Sequence, residues 1–248
     1  MVAAIILAGG KGTRLRSLVK DVPKPMAVIN SKPFLEHQID YLISQGIDKI
    51  ILSVGYKHEI IINYFGDNYR SASIYYSIEE SPLGTGGALF LASKFIQWNE
   101  YYFVINGDTY FPIQFNELIN KAIKSESMCT FSLLRFKNNP RFLSVEIDLN
   151  GNIIGLNINN KNNKEIVLLN GGVYLFSPNF IKKYKDIINS KEKISLELDI
   201  FPMLINNHER INSLIFEAPF VDIGIPKDYI RASNIIKNFQ INSGKNNS

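Results

Sequence analysis

The chain is poor in the residues that most often carry covalent or redox chemistry. Cys129 is its single cysteine in 248 residues, which excludes an internal disulfide and suits a reducing compartment. It lies in the apolar run from Met128 to Leu134 and reads as a buried structural thiol rather than a nucleophile. The three histidines, His37, His58 and His208, stand alone without metal-ligand spacing, so surface or packing roles fit them. No apolar stretch approaches the ~18 residues of a membrane span. The N-terminus runs straight into strand-like sequence without the basic region and cleavage site of a signal peptide. The net charge of +4 is modest and its basic residues are scattered, which argues against nucleic acid as the partner. Internal repeats and linkers are missing too. These absences predict a cytoplasmic protein with one domain over residues 1–236 and a polar C-terminal tail over 237–248 that frays.

What is present is enough apolar sequence, 46% of the chain, to bury one large core. The first half alternates strand patterns (Ala3–Leu7, Lys49–Val54, Ser73–Ser77, Tyr102–Ile105) with helix patterns (Pro33–Ser44, Glu59–Tyr64, Gly86–Ser93, Phe115–Lys124). Such alternation predicts βαβ units. The second half is richer in strands, at Cys129–Arg135, Ser144–Ile147, Ile153–Leu156 and Gly172–Phe176, with Asn150-Gly151 as a hairpin turn. The expected fold is α/β: a Rossmann-like, mostly parallel mixed sheet flanked by helices. Its strand-rich C-terminal half forms one side of a cleft. Ligands in such sheets lie at the carboxyl ends of the strands, near a switch in strand order.

One of those ends is chemically distinctive. After the apolar run Val2 to Leu7 comes LAGGKGTRLRSLVKDVPKP, Leu7 to Pro25. Gly9, Gly10 and Gly12 let backbone N–H groups approach a ligand closely, and Arg14 and Lys24 add fixed cations. That combination suits a polyphosphate. A dinucleotide fingerprint is excluded because its third glycine would fall on Leu15, and no Gly-Lys-Ser/Thr triplet exists to make a P-loop.

The motif GGKGTRL followed by PKP resembles the signature of the sugar-nucleotidyltransferases, which join an NTP to a sugar 1-phosphate and release pyrophosphate. Further matches follow in the family's order: PLGTGGA (Pro82 to Ala88), NGD (Asn106 to Asp108), NGGVYLF (Asn170 to Phe176), SLELDIFP (Ser195 to Pro202) and VDIGIP (Val221 to Pro226). The resemblance implies that Arg14 and Lys24 are catalytic, Arg14 on the triphosphate and Lys24 where the two phosphates meet. It assigns nucleotide contacts to Leu7, Ala8, Gly9, Gly10, Gly12, Thr13 and Arg14. Glu79, Pro82, Gly84 and Thr85 complete that set. Sugar-phosphate contacts fall to Gly107, Lys161, Asn170, Gly171 and Glu197, on the strand-rich side. Asp108 and Asp222 would hold Mg²⁺, which takes oxygen ligands and typically one or two carboxylates beside phosphates. Two departures weaken the sugar-side correspondence: Asn160 replaces the usual Glu before Lys161, and Leu143 replaces a usual glycine.

Glu79 bears on the base. Matching positions in uridylyl and thymidylyl members tend to hold Gln, which offers a donor and an acceptor. A carboxylate only accepts, which suits the adjacent N1–H and amino donors of guanine. The alternative is a solvated acid paired with Glu80. The variants RLRSLV and EESPLGTGGA most resemble the branch of D-glycero-α-D-manno-heptose 1-phosphate guanylyltransferases. The expected partners are therefore GTP and a sugar 1-phosphate, heptose favoured, with no nucleic acid, no membrane, and a homo-oligomer left open. The product would feed a surface polysaccharide such as capsule or lipopolysaccharide. A mannose 1-phosphate guanylyltransferase, a uridylyl or thymidylyl enzyme, and a non-catalytic nucleotide-sensing subunit are the rivals.

Overall fold

The computed structural model describes residues 2–10, 12, 15, 19, 21–137, 142–157, 165–188 and 193–245. Its first half runs β1 (Ala3–Leu7), a 3₁₀ turn (Lys24–Met26), β2 (Val28–Ile29), β3 (Lys32–Pro33), α1 (Phe34–Ser44), β4 (Lys49–Val54), α2 (His58–Phe65), β5 (Asn68–Tyr69) and β6 (Ala72–Ile78). It continues through α3 (Gly84–Ala92), β7 (Tyr102–Asn106), β8 (Thr109–Tyr110) and α4 (Phe115–Ser125). The second half runs β9 (Cys129–Lys137), β10 (Ser144–Ile147), β11 (Ile153–Asn157), β12 (Ile166–Phe176) and α5 (Asn179–Ile188). A π-type turn (Leu196–Ile200) then leads to α6 (Phe201–Asn206), β13 (Ile211–Ile215), β14 (Val221–Asp222) and α7 (Pro226–Lys245).

The central sheet is mixed, in the order β11-β10-β12-β7-β1-β4-β6-β5, with β9 beside β12 and β13 beside β9. Its centre, β7-β1-β4-β6, is parallel. The run AAIIL of β1 is apolar throughout because both its faces are covered. Ala4 and Ile6 join a core packed under α1, α2 and α4. Ala3 and Ile5 join another packed under α3, α5 and α6. The chain passes from β1 to β4 and β6 on one side, then returns to place β7 on the other. The switch point therefore lies between the carboxyl ends of β1 and β7, where the sequence puts the glycine loop and the NGD turn.

Strand β12 pairs with three strands, with β9 beside it and two others sharing it in turn. Its first part pairs with β10 at Leu169 and its last part with β7 from Val173 to Phe176. The change occurs at a bulge between Asn170 and Tyr174, at the NGG of the motif. The sequence pattern predicts a strand from Gly172; the strand begins at Ile166 because β9 pairs with it from Ile166 to Asn170 and again, past the bulge, from Tyr174 to Phe176.

The segment expected to be a polar tail from Lys237 starts out helical. Helix α7 continues to Lys245, held by a third small core that contains Ala232 and Ile236 together with Tyr110, Val221 and Ile223. Phe239 lies 5.7 Å from Tyr41 and 6.2 Å from Tyr110, ring to ring. Tyr229 donates to the Val28 carbonyl, and Ser233 bonds Asn30 in the turn between β2 and β3. His37 is a packing residue, buried, with Nε2 donating to the Ile29 carbonyl. Polar residues such as Asn238 and Gln240 mask this apolar stripe when the segment is read by composition alone.

Candidate active site

A cleft of about 320 Å³ opens at the switch point. One wall is the end of β1 with the start of its loop: Leu7, Ala8, Gly9 and Gly10. The second wall is Glu79 with Pro82, Gly84 and Thr85, and the third is Gly107 and Asp108 with Lys24. Pro25, Ala88 and Asn106, to which the resemblance assigns no contact, also line it. All three sit inside the motifs given above (PKP, PLGTGGA and NGD), so adjacency to the assigned residues is the available signal. Arg14, Thr13 and Lys161 lie outside the described residues.

Close approach explains Gly107. Its N–H donates to the Leu7 carbonyl at 3.0 Å. A Cβ on it would stand 2.6 Å from that same oxygen, a backbone atom that cannot step aside. NGD thus seals the turn after β7 against the end of β1, and Asp108 projects from the seal. Asn106-Gly107 is not the turn of a hairpin between β7 and β8. Strand β8 pairs instead with β14, with Asp222 opposite Thr109.

That two-residue ladder joins two acids far apart in sequence. The Ile223 N–H donates to the Asp108 carbonyl at 2.9 Å, and Asp222 Oδ1 accepts from the Gly224 N–H. Lys24 reaches into the same place. Its Nζ lies 2.5 Å from Asp108 Oδ2, with only 11% of the lysine side chain exposed. It also lies 3.5 Å from where a Cβ of Gly224 would stand. A cation therefore already occupies the neighbourhood of the two carboxylates. Asp108 lines the cleft, whereas Asp222 lines a smaller neighbouring hollow with Phe142, Phe220 and Asp228. The ladder brings their two loops together, and a pair of carboxylates is a donor set that suits a hard divalent ion. Among the described residues no group of three or more His, Cys, Asp or Glu could hold a metal.

Glu79 is partly buried beside Gly9, filling the space that a side chain there would take. Its Oε2 accepts from the Leu83 N–H at 3.1 Å and its Oε1 from the Ser53 hydroxyl at 3.3 Å. Burial pushes its pKa up, while those two bonds pull it back. It is not a solvated surface acid. A carboxylate offers about four acceptor positions, so sites remain on the cleft side.

The segment that contains Pro82, Gly84 and Thr85 is stitched to the one around Ser195. The Gly86 N–H donates to the Ile194 carbonyl at 2.8 Å and the Ile194 N–H to the Leu83 carbonyl at 2.9 Å. Thr85 donates to Glu197 Oε2 at 3.0 Å and accepts from the Leu196 N–H at 2.8 Å. Ser195 caps the following turn and donates to the same Glu197 oxygen. Glu197 is thus joined to the cleft through Thr85. Asn170 donates to the Tyr174 hydroxyl at 2.6 Å. Burial, then the Glu197 carboxylate, hold that phenol well above its ordinary pKa, with Asp108 adding to the effect. Gly171 packs against Phe111 and Ser132, which makes its small size a packing requirement. Gly12 packs on the Lys24 stem. Phe142 belongs to an aromatic cluster with Phe136 and Phe220, while the Leu143 carbonyl accepts from Asn170.

A family model described as nucleotidyl transferase matches residues 3–238. Over 231 residues the chain is 43% identical to the D-glycero-alpha-D-manno-heptose 1-phosphate guanylyltransferase of Campylobacter jejuni, covering 91% of this chain and 96% of that one. It is 39% identical to the enzyme of the same name from Aneurinibacillus thermoaerophilus, over 95% and 99% of the two chains. Among solved structures, HddC from Yersinia pseudotuberculosis complexed with GMP-PN has a TM-score of 0.80 at 36% identity, covering 94% of this chain and 99% of that one.

Proposed function

The chain belongs to the nucleotidyl transferase family, and from that premise we propose that it transfers GMP from GTP to D-glycero-α-D-manno-heptose 1-phosphate. The sugar-phosphate oxygen attacks the α-phosphorus in line, an O–P bond forms, and the bond to pyrophosphate breaks. The observation that carries this reading is the near full-length similarity to two heptose 1-phosphate guanylyltransferases. The cleft supplies the physical fit.

Both reactants are anionic, so the chain's task is positioning and charge neutralisation rather than covalent catalysis. In this reading the backbone at Gly9 and Gly10 receives phosphate oxygens. Lys24 leaves Asp108 to neutralise the phosphates as they meet, and Arg14 does the same for the triphosphate. Glu79 accepts from guanine N1–H and the exocyclic amine. Asn170 and Glu197 face the sugar side. Family members generally use a divalent metal; Asp108 and Asp222 would hold it, and Mg²⁺ is our assignment. When bound it would neutralise charge on the phosphate oxygens. The product is an activated heptose suited to a glycosyl transfer that builds surface polysaccharide, and GTP supply favours the cytoplasm.

Four NTPs assayed against a panel of sugar 1-phosphates, with pyrophosphate release as readout, test the assignment. GTP with the heptose 1-phosphate should give the highest kcat/KM. A faster reaction with mannose 1-phosphate, or with UTP or TTP, would replace it.

A further inference from the structure

Gln38 is a polar residue on the buried face of α1, only 5% exposed, and none of the motifs includes it. Its Nε2 donates to two backbone carbonyls, Asn106 at 2.9 Å and Thr109 at 2.6 Å. These are the two residues that bracket Gly107 and Asp108. The amide orientation follows from chemistry, because two carbonyl oxygens can be faced only by the NH₂ end. Gln38 Oε1 is buried without a hydrogen-bond partner among the described residues, so the side chain satisfies the turn at the expense of its own acceptor.

The four residues of the turn are tied from three directions. Asn106 O and Thr109 O are held by Gln38. Gly107 N is held by Leu7 on β1, and Asp108 O by Ile223 beyond β14. Gln38 supplies two of these four ties, and it is a side chain of the core-anchored helix between Leu35 and Ile39. We propose that Gln38 is a positioning residue that sets the direction of the Asp108 carboxylate for the divalent ion. The proposal rests on reading Asp108 as a metal ligand. Groups behind a ligand are known to tune metal affinity without touching the ion.

The test separates metal from nucleotide. In Gln38→Leu, the Mn²⁺ concentration needed to saturate the enzyme with bound GTP, followed by electron paramagnetic resonance, should rise by about tenfold, the low end for an outer-shell partner. Affinity for GTP in EDTA should stay at the wild-type value. Equal losses of both, or no loss of Mn²⁺ affinity, would overturn the proposal in favour of a general packing role. Asp108→Asn serves as the control: Mn²⁺ binding left intact there removes the metal reading and the proposal with it, whereas Mn²⁺ binding weakened in Asp108→Asn but not in Gln38→Leu overturns the role of Gln38 alone. A wild-type measurement holds even if Gln38→Leu does not fold. With glutamine isotope-labelled, the Gln38 side-chain amide resonance should broaden when Mn²⁺ and GTP bind together, and an unbroadened signal would overturn the placement.

Discussion

At the scale of single residues, Glu79 combines a cost with a use. Burial raises its pKa, so the folded protein binds its proton more tightly than the unfolded chain does. Stability from this group is full below the unfolded pKa and is lost as pH rises through the folded value. Glu79→Gln should therefore raise Tm at neutral pH, and the gain should shrink as pH falls toward the unfolded carboxyl range. GTP use should drop by at least about tenfold, roughly 1.4 kcal/mol, because an NH₂ group would face a guanine donor. UTP or TTP use should hold steady or rise. A GTP/UTP ratio unchanged by the substitution would return Glu79 to a bracing role between Ser53 and Leu83.

Lys24 and the two aspartates belong to the same scale. Lys24→Ala should lower kcat/KM by roughly 2–4 kcal/mol of transition-state stabilisation. It also leaves Asp108 without its 2.5 Å partner, so Mn²⁺ binding to the nucleotide-free protein should tighten. Calorimetric titration reads that opposite sign. Asp222→Asn should cost orders of magnitude in turnover with little change in Tm, since Asp222 is outside the apolar core; near wild-type kcat would remove it from the site.

At the scale of elements, the bulge of β12 and the helix α7 do the positioning. A Cβ on Gly171 would stand 2.5 Å from two ring carbons of the buried Phe111. Gly171→Ala should therefore destabilise by about 1–3 kcal/mol as an overpacked site, read as a shift in urea midpoint at constant m-value. Helix α7 packs on both β14 and the hairpin that follows Lys24. A chain ending at Ile236 loses Phe239 and its ring contacts. Its Tm should fall by about 5 °C, given a half-buried aromatic and ~2–4 °C per kcal/mol at this size. An unchanged Tm would make those residues the polar tail that composition suggests.

At the scale of the whole molecule, one sheet backs the two large cores, and β1, β7 and β12 contribute to both. Unfolding either half would strip one face of the other. A single cooperative calorimetric transition is expected on that ground, and two resolved transitions would divide the chain into separate units. The cleft sits where the strand order reverses, with the backbone of Leu7 to Gly10 and of Gly107 as fixed parts of its walls and Glu79, Lys24 and Asp108 as the side chains set into them.

Several of these features follow from local sequence. Strands β1 and β4 occupy the predicted Ala3–Leu7 and Lys49–Val54, because strands buried on both faces are written as near-continuous apolar runs, broken in β4 only by Lys49 at its start and Ser53 near its end. The glycine loop, NGD and PLGTGGA stand together at one cleft, since parallel strands deliver their carboxyl ends to the same edge. Other features needed the tertiary structure. Strands β8 and β14 are two residues each, too short for any periodicity, yet their pairing joins the Asp108 and Asp222 loops. Gln38 looks like an ordinary polar position of a helix until the fold brings residues 106 and 109 against it. The stripe on α7 gains meaning only from the third core beneath it. Burial is written along the chain as a pattern of apolar residues; the choice of neighbours is made by long-range pairing, which no local pattern encodes.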